Sequence, residues 1–342
     1  MALQRGDAAG TWVRGRFRRT LAHPDESIFA MAPSSTARIP TRTNLLLAGT
    51  FILAHAVILI LLPAAGIGAL GLAVAAGVLA LCSPAHWALV HEAIHGMLLP
   101  VRAANDRLAR VLAITFGAPF RAVRFAHLRH HRYNRTPWGR EEVYDPATRS
   151  TVTAYAQHYF RISFGLYIGE LALNFLCWMP REWLRPRLHA FVPDPNDGAS
   201  GMASVADREV LGAGLWQIRV DALCVIALYG AAFVLYGAHW PVLVAFLSVR
   251  GFISSQMDHA PHHDTPIDQR DYALNMSAPR WLNAFLLNFN LHRAHHQQPN
   301  APWPVLAELA KFEAGDISFV RAVARQWRGP IALPRLVSGE TQ

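Results

Sequence analysis

The residues of this chain whose types and spacing could do chemistry are histidines. His292, His295 and His296 stand at i, i+3 and i+4, and His127, His130 and His131 repeat that spacing. His91 and His95 stand four residues apart. On a helix, residues three and four apart share a face, so each cluster would aim its imidazoles at one place. Neutral imidazole is the commonest protein metal ligand. Eight of the 17 histidines thus lie in three clusters with ligand spacing.

Eight imidazoles are too many for one ion. A catalytic zinc takes three protein ligands plus water. Two ions with about four ligands each fit the count and leave positions open. Zinc has no redox chemistry, whereas iron has it and accepts imidazole. The soluble di-iron bundle built on glutamates and two E-x-x-H motifs is disfavoured, because only Glu92 and His95 have that spacing. Taken alone, His91-Glu92-Ala93-Ile94-His95 is the H-E-x-x-H of a zinc metalloprotease, with the glutamate as general base. That reading leaves the other two clusters idle. A metal transporter would want histidines or acids inside its spans, and these clusters fall outside them.

The elements that must position the clusters follow from the apolar patterning. The 342-residue chain is 52% hydrophobic, with a mean hydropathy of +0.18. No Asp, Glu, Lys or Arg lies between Arg42 and His91. A span needs about 20 apolar residues, so this run holds two, 45–62 and 67–87, turning at Pro63-Ala64-Ala65-Gly66. A second apolar region holds spans at 220–238 and 241–256, turning at Gly237-Ala238-His239-Trp240-Pro241. Val111–Phe120 is too brief to cross and reads as an interfacial or dipping helix. Residues 162–179 contain Glu170 and Asn174 and read as an in-plane or partly buried helix. Asp194-Pro195-Asn196-Asp197-Gly198 reads as a surface loop. Paired crossings return all three clusters to one side. The expected fold is therefore all-α: an integral membrane helical protein with about four transmembrane helices and a cytoplasmic histidine-box cap. Residues 1–42 form a basic arm without a secretory leader, 43–305 the membrane domain and 306–342 a cytoplasmic tail.

The net charge is +9 and the surplus is mostly arginine. In a membrane protein this marks cytoplasmic segments and anionic headgroups rather than nucleic acid. Glu141, Glu142 and Asp145 form an acidic patch in the basic surface of 102–149. Cys82, Cys177 and Cys224 lie in apolar stretches and read as small core residues.

The three clusters together resemble the histidine boxes of the membrane fatty acid desaturase/hydroxylase superfamily. His91 and His95 resemble the first box, and His127, His130 and His131 the second. His292, His295 and His296, followed by Pro299, resemble the third. The resemblance covers roughly residues 45–305. It implies two non-haem Fe ions, held by those eight histidines, that activate O2 as co-substrate. The family commonly has a ninth histidine some thirty residues before the third box. This carries over to His259, with His263 as a rival in His259-Ala260-Pro261-His262-His263.

Glu92 is the candidate catalytic carboxylate. Beside a di-iron site it would hydrogen-bond a ligand imidazole from another box and raise its basicity; in a protease it would activate water. Asp258 could serve a neighbouring histidine as Glu92 would. Asn290 would cap its helix or hold a metal-bound water, and Arg293 would face solvent or an acidic partner.

The activity implied is desaturation at an unactivated C–H position in a fatty acyl or other lipid chain. Hydroxylation or carotenoid ketolation on the same scaffold is the alternative. Electrons must come from an external donor such as ferredoxin and its reductase, since no flavin, Fe–S or haem segment is present. The arginines of 102–140 would meet headgroups, an acidic carrier or an acyl-carrier protein. The expected location is the bacterial inner membrane, with the boxes cytoplasmic. Leu291, Arg293 and Ala294 depart from the common third box, which has tyrosine before its first histidine and a glutamate inside. The substrate therefore does not carry over.

Overall fold

A computed structural model describes residues 38–192, 201–267 and 269–333. The 1–42 arm, apart from 38–42, lies outside the described residues, as do the Asp194–Gly198 loop and the last residues of the 306–342 tail.

Apolar sequence with a single charge, Arg42 in its first turn, makes helix α1, Thr41–Ala64, loosened by a single π-turn at Val57–Leu61. Tyr236 donates its hydroxyl to the Ile58 carbonyl at that turn, 3.0 Å away. An unpaired carbonyl among apolar helices costs several kcal/mol, so such turns need a partner. The chain reverses around Gly66, whose φ of +72° is open to glycine without steric cost. Helix α2, Ala69–Leu81, then bends by 45° into α3, Ser83–Ile94, where Pro84 occupies the first turn.

The expected dipping helix, Val111–Phe120, begins earlier than its apolar interval and breaks inside it. Helix α4 runs Arg102–Phe116 and ends on Gly117 at φ +113°. Its last carbonyls are buried among the apolar helices and are capped by side chains from elsewhere. Thr115 O accepts from Tyr229 Oη (2.7 Å) and Arg250 Nη1 (3.2 Å). Phe116 O accepts from Tyr167 Oη (2.9 Å) and the same Arg250 nitrogen (3.1 Å). A cation at the negative end of the helix dipole is the favourable placement. Helix α5, Phe120–Tyr133, follows at once.

The expected 162–179 helix is the later part of one helical run: α6, Thr151–Phe160, a π-turn at Arg161–Gly165, and α7, Leu166–Leu176. Glu170 and Asn174 are buried, and Asn174 Nδ2 donates to Gly117 O at 2.8 Å.

Helices α8, Gly214–Tyr236, and α9, Trp240–His259, are joined by a short 3-10 turn at Gly237–His239. Gly237 takes φ +50°, and the two helices fold back on each other there. The proof is Arg250 Nη1 donating to Tyr229 Oη at 2.8 Å. A straight helix would hold those residues about 30 Å apart at 1.5 Å per residue. Thr41–Ala64 and Gly214–His259 are apolar and long enough to cross a membrane, and the bent α2–α3 pair makes a third candidate. Leu46, Leu53, Leu70, Val74 and Val234 are exposed on these helices, an apolar surface that suits lipid. The protein is a mostly helical membrane protein.

Several short helices make up the rest of the described chain, among them α10, His292–Gln297, and α11, Trp303–Leu309. The only strands among the described residues, β1 (Val143–Tyr144) and β2 (Ile331–Ala332), pair in parallel. The segment after residue 305 does not stand apart as a tail. Gln326 is fully buried and bonds Gln256 of α9 through Nε2 at 2.7 Å. The start of α1 also joins this end of the molecule, where Asn44 Nδ2 donates to Leu98 O at 2.9 Å.

Candidate metal centre

The ends of α3, α5 and α10 and the turn after α9 meet, and they bring nine imidazoles together in two groups. The first group is His91, His95, His127, His131 and His295. The second is His130, His262, His292 and His296. Each box of the type H-x-x-H-H is thus divided between the groups. Positions i and i+4 lie only about 40° apart around a helix of 3.6 residues per turn, while i+3 lies on the other side of i. So His127 and His131 enter the first group and His130 the second. On α10 the roles exchange: His292 and His296 enter the second group and His295 the first. The expectation that each box aims at one place is corrected by this geometry.

In the first group the Nε2 atoms form a chain of close approaches. His295 is 3.0 Å from His91 and 2.9 Å from His131. His127 is 3.0 Å from His131 and 2.9 Å from His95. An imidazole nitrogen offers one proton or one lone pair, so it makes one good hydrogen bond, not two. Nitrogens bound at about 2.1 Å to one ion, at right angles, would stand about 3.0 Å apart. In the second group His130 and His296 bring Nε2 atoms within 3.3 Å. His262 has both ring nitrogens buried and without a hydrogen-bond partner. A metal ion held by the group would satisfy one of these two nitrogens. Among the described residues no carboxylate joins either group. An all-imidazole donor set suits iron, zinc, copper or nickel rather than magnesium or calcium.

Burial keeps the rings in the ligand form. Burial, with Arg129 and Arg135 nearby, lowers the His130 pKa to about 4. Burial and His130 lower that of His292 to about 3. His127, His131, His262, His295 and His296 also lie well below the ordinary histidine value, burial being the largest cause in each. All are neutral at neutral pH.

His259 is not brought into either group. Its Nδ1 faces Gln326 Oε1 at 3.1 Å, and His263 Nε2 donates to Gly329 O at 3.0 Å. Helix α9 ends at His259, and the following turn carries His262 into the second group instead. The H-x-x-H-H at 259–263 carries the signal for a ligand here, and it is the middle histidine that joins the group. Glu92 does not hydrogen-bond an imidazole. Its carboxylate is buried and accepts the Trp303 backbone N–H at 3.1 Å, at the start of α11. It therefore links the first-box helix to the segment following the third box. His91 and His95 share their group with three imidazoles from the other two boxes, which disfavours the metalloprotease reading.

Asn290 does not cap α10. Its Nδ2 donates to Met276 O (2.7 Å) and Asn283 Oδ1 (2.9 Å), and Asn275 Oδ1 receives the Ala294 N–H instead (3.2 Å). Arg293 is buried on acidic partners, Glu313 at 2.8 Å and Asp316. The arginines of 102–140 are less superficial than their number implies. Arg110 pairs with the buried Asp221 at 2.6 Å, Arg121 with Glu209, and Arg135 with Glu142 at 2.7 Å. Glu142 is correspondingly buried rather than part of a surface patch. A cavity of about 390 Å³ opens on His95 and His131 and is lined by Arg102, Arg124, Arg132 and Arg270.

Comparison with known proteins adds one finding. The sequence model of the family described as fatty acid desaturase matches residues 65–321, which span all three boxes and the His262 turn. No curated protein and no solved structure matches the chain.

Proposed function

This chain belongs to the fatty acid desaturase family, and from that premise we propose that it is an O2-dependent lipid-chain desaturase with two non-haem irons. Membership implies an oxidoreductase acting on lipid chains. The observation that carries the finer reading is the division of nine buried, neutral imidazoles into two adjoining groups without a carboxylate. His91, His95, His127, His131 and His295 would hold one iron, and His130, His262, His292 and His296 the other. Bound ferrous ions would supply the electrons and open positions for reducing O2 and removing hydrogen from an unactivated C–H bond.

The chain's own residues do the rest. Neutral rings bind the cations without carrying a competing charge. Glu92 holds α11 against α3 and fixes the third-box segment beside the first box. Burial of the groups excludes water from a strongly oxidising step. Apolar helices α1, α2, α8 and α9 offer a path by which an acyl chain could leave the bilayer and present one carbon at the boxes. Desaturation converts CH2–CH2 and O2 to CH=CH and two waters, and it consumes two further electrons and two protons. We assign the supply of those electrons to a ferredoxin-type donor with its reductase. The arginine-lined cavity over His95 and His131 suits an acidic carrier or an anionic substrate head.

We read the topology as four crossings, α1, the α2–α3 pair, α8 and α9, with the boxes on the cytoplasmic side of a bacterial inner membrane. The membrane domain then spans 43–305, between a basic arm at 1–42 and the segment 306–342. Metal analysis of detergent-purified protein tests the reading, followed by lipid profiling of an expressing host. Two irons per chain and new double bonds are expected. New alcohols in place of double bonds would move the chain to the hydroxylases. One zinc, with no iron uptake on reconstitution, would overturn the proposal.

A further inference from the structure

The turn that carries His262 has no regular structure of its own. Helix α9 stops at His259, the chain reverses through 260–264, and Asp264 sits at φ +56°. A ligand on such a turn points correctly only if something else fixes the backbone. That something is Arg135, four residues beyond the second box.

Arg135 is fully buried and takes φ +60°, a conformation rare for a side-chain-bearing residue. Its guanidinium donates to three carbonyls of the turn. Nη1 reaches His262 O at 3.0 Å, Nη2 reaches Thr265 O at 2.7 Å, and Nε reaches Pro266 O at 3.1 Å. Nη1 also bonds Glu142 Oε1 at 2.7 Å, which supplies the counter-charge. Thr265 Oγ1 closes the turn onto His262 O at 2.8 Å. The preceding residue continues the grip, as Asn134 Nδ2 donates to Arg270 O (2.6 Å) and Tyr272 O (2.9 Å). A planar fork with several fixed donors can hold several carbonyls at once, which a lysine ammonium cannot.

We propose that Arg135, with Glu142 as counter-ion, is a positioning residue for the four-histidine group alone. It sets the His262 backbone in a fixed relation to α5, and so places His262 against His130, His292 and His296. The five-histidine group takes no residue from the turn it grips. A merely structural role would act on both groups alike. The inference rests on the two-metal reading above, but it concerns which ion is lost.

The test uses the full chain in detergent, with anaerobic Fe(II) or Co(II) titration read by bound metal per chain and by the metal's optical or magnetic spectrum. Arg135→Gly removes the fork, and glycine accepts φ +60° without strain. One of the two ions should bind about 10–100-fold more weakly, the range found when a supporting partner of a ligand is lost. The other should be unchanged. His262→Ala should give the same one-ion spectrum, and guanidinium ion below denaturing concentration should restore the second ion to Arg135→Gly. Arg135→Lys, which keeps the charge beside Glu142 should the glycine variant fold poorly, should weaken the same single ion. Two ions held with wild-type affinity in Arg135→Lys or Arg135→Gly, or equal weakening of both, would overturn the proposal. A wild-type chain that binds fewer than two ions would instead overturn the two-metal reading itself, before any variant is compared.

Discussion

Replacing His262 and His259 by alanine, one at a time, separates the two candidates for a ninth ligand. His262 is buried with both ring nitrogens lacking a hydrogen-bond partner, inside a group of four imidazoles. Its removal leaves three donors. Losing a residue that merely supports a ligand costs about 10–100-fold in metal affinity, so losing a donor should cost at least 100-fold, or about 2.7 kcal/mol. His259 has a different task. Its Nδ1 bonds Gln326 Oε1, while Gln326 keeps its Nε2 bond to Gln256. Losing that one contact should cost about 1–3 kcal/mol of folding stability, the penalty for a buried acceptor left unpaired, and no metal affinity. The assay is iron per chain after anaerobic reconstitution and chelator challenge, with a thermal melt of the iron-free protein alongside. His262→Ala should keep one iron and melt near wild type. His259→Ala should keep two irons and melt earlier. If His259→Ala loses an iron while His262→Ala keeps both, the geometric assignment of the second group is wrong.

Glu92→Gln should leave iron content and turnover near wild type, since a glutamine oxygen still accepts the Trp303 N–H; Glu92→Ala, which orphans that donor, should lower stability by about 1–3 kcal/mol. A metalloprotease would respond in the opposite way, losing all activity in Glu92→Gln. The iron-free protein should lose stability as pH falls below 6.5. Burial lowers the folded-state pKa of His130 to about 4, so the unfolded chain takes up the proton first and unfolding is favoured, by about 1.4 kcal/mol per pH unit for each such histidine. Between pH 6.5 and 5 His130 alone should contribute about 1–2 kcal/mol, read from chemical denaturation at each pH, because the full slope develops only below the unfolded pKa. A flat profile over that window would refute the buried, neutral state.

Much of this arrangement is legible in sequence, because it depends on short-range periodicity. The uncharged run between Arg42 and His91 marks α1 and the α2–α3 pair, and Gly237 marks the reversal between α8 and α9. The i, i+3, i+4 spacing marks α5 and α10 as ligand helices. What escapes is set by contacts between segments far apart in the chain. Glu92 meets Trp303 across 211 positions and Arg135 meets Thr265 across 130. No local pattern announces either pairing. Arg135 reads as one more surface arginine until Glu142 and three carbonyls are found around it. His259 looks like the natural ligand because the resemblance expects a histidine some thirty residues before the third box, yet the end of α9 fixes its direction toward Gln326. His262 lies beyond the helix, and the turn that redirects it is held from α5.

The division of the boxes explains why this pattern makes a paired site rather than three separate ones. In H-x-x-H-H the last two histidines are adjacent and diverge by about 100° around the helix. A single ion could collect i and i+4 but would strand i+3. Two helices that face each other remove the conflict. On α5 the stranded ring, His130, is taken by the group that holds the i, i+4 pair of α10, His292 and His296. On α10 the stranded ring, His295, is taken by the group that holds the i, i+4 pair of α5, His127 and His131. Each helix therefore commits two rings to one group and one to the other, and neither group is complete without both helices. His91 and His95 then fill the first group and His262 the second. His262 is the one member of the nine that lies in none of the three boxes, and its turn must be held in place by contacts of its own, as Arg135 holds it.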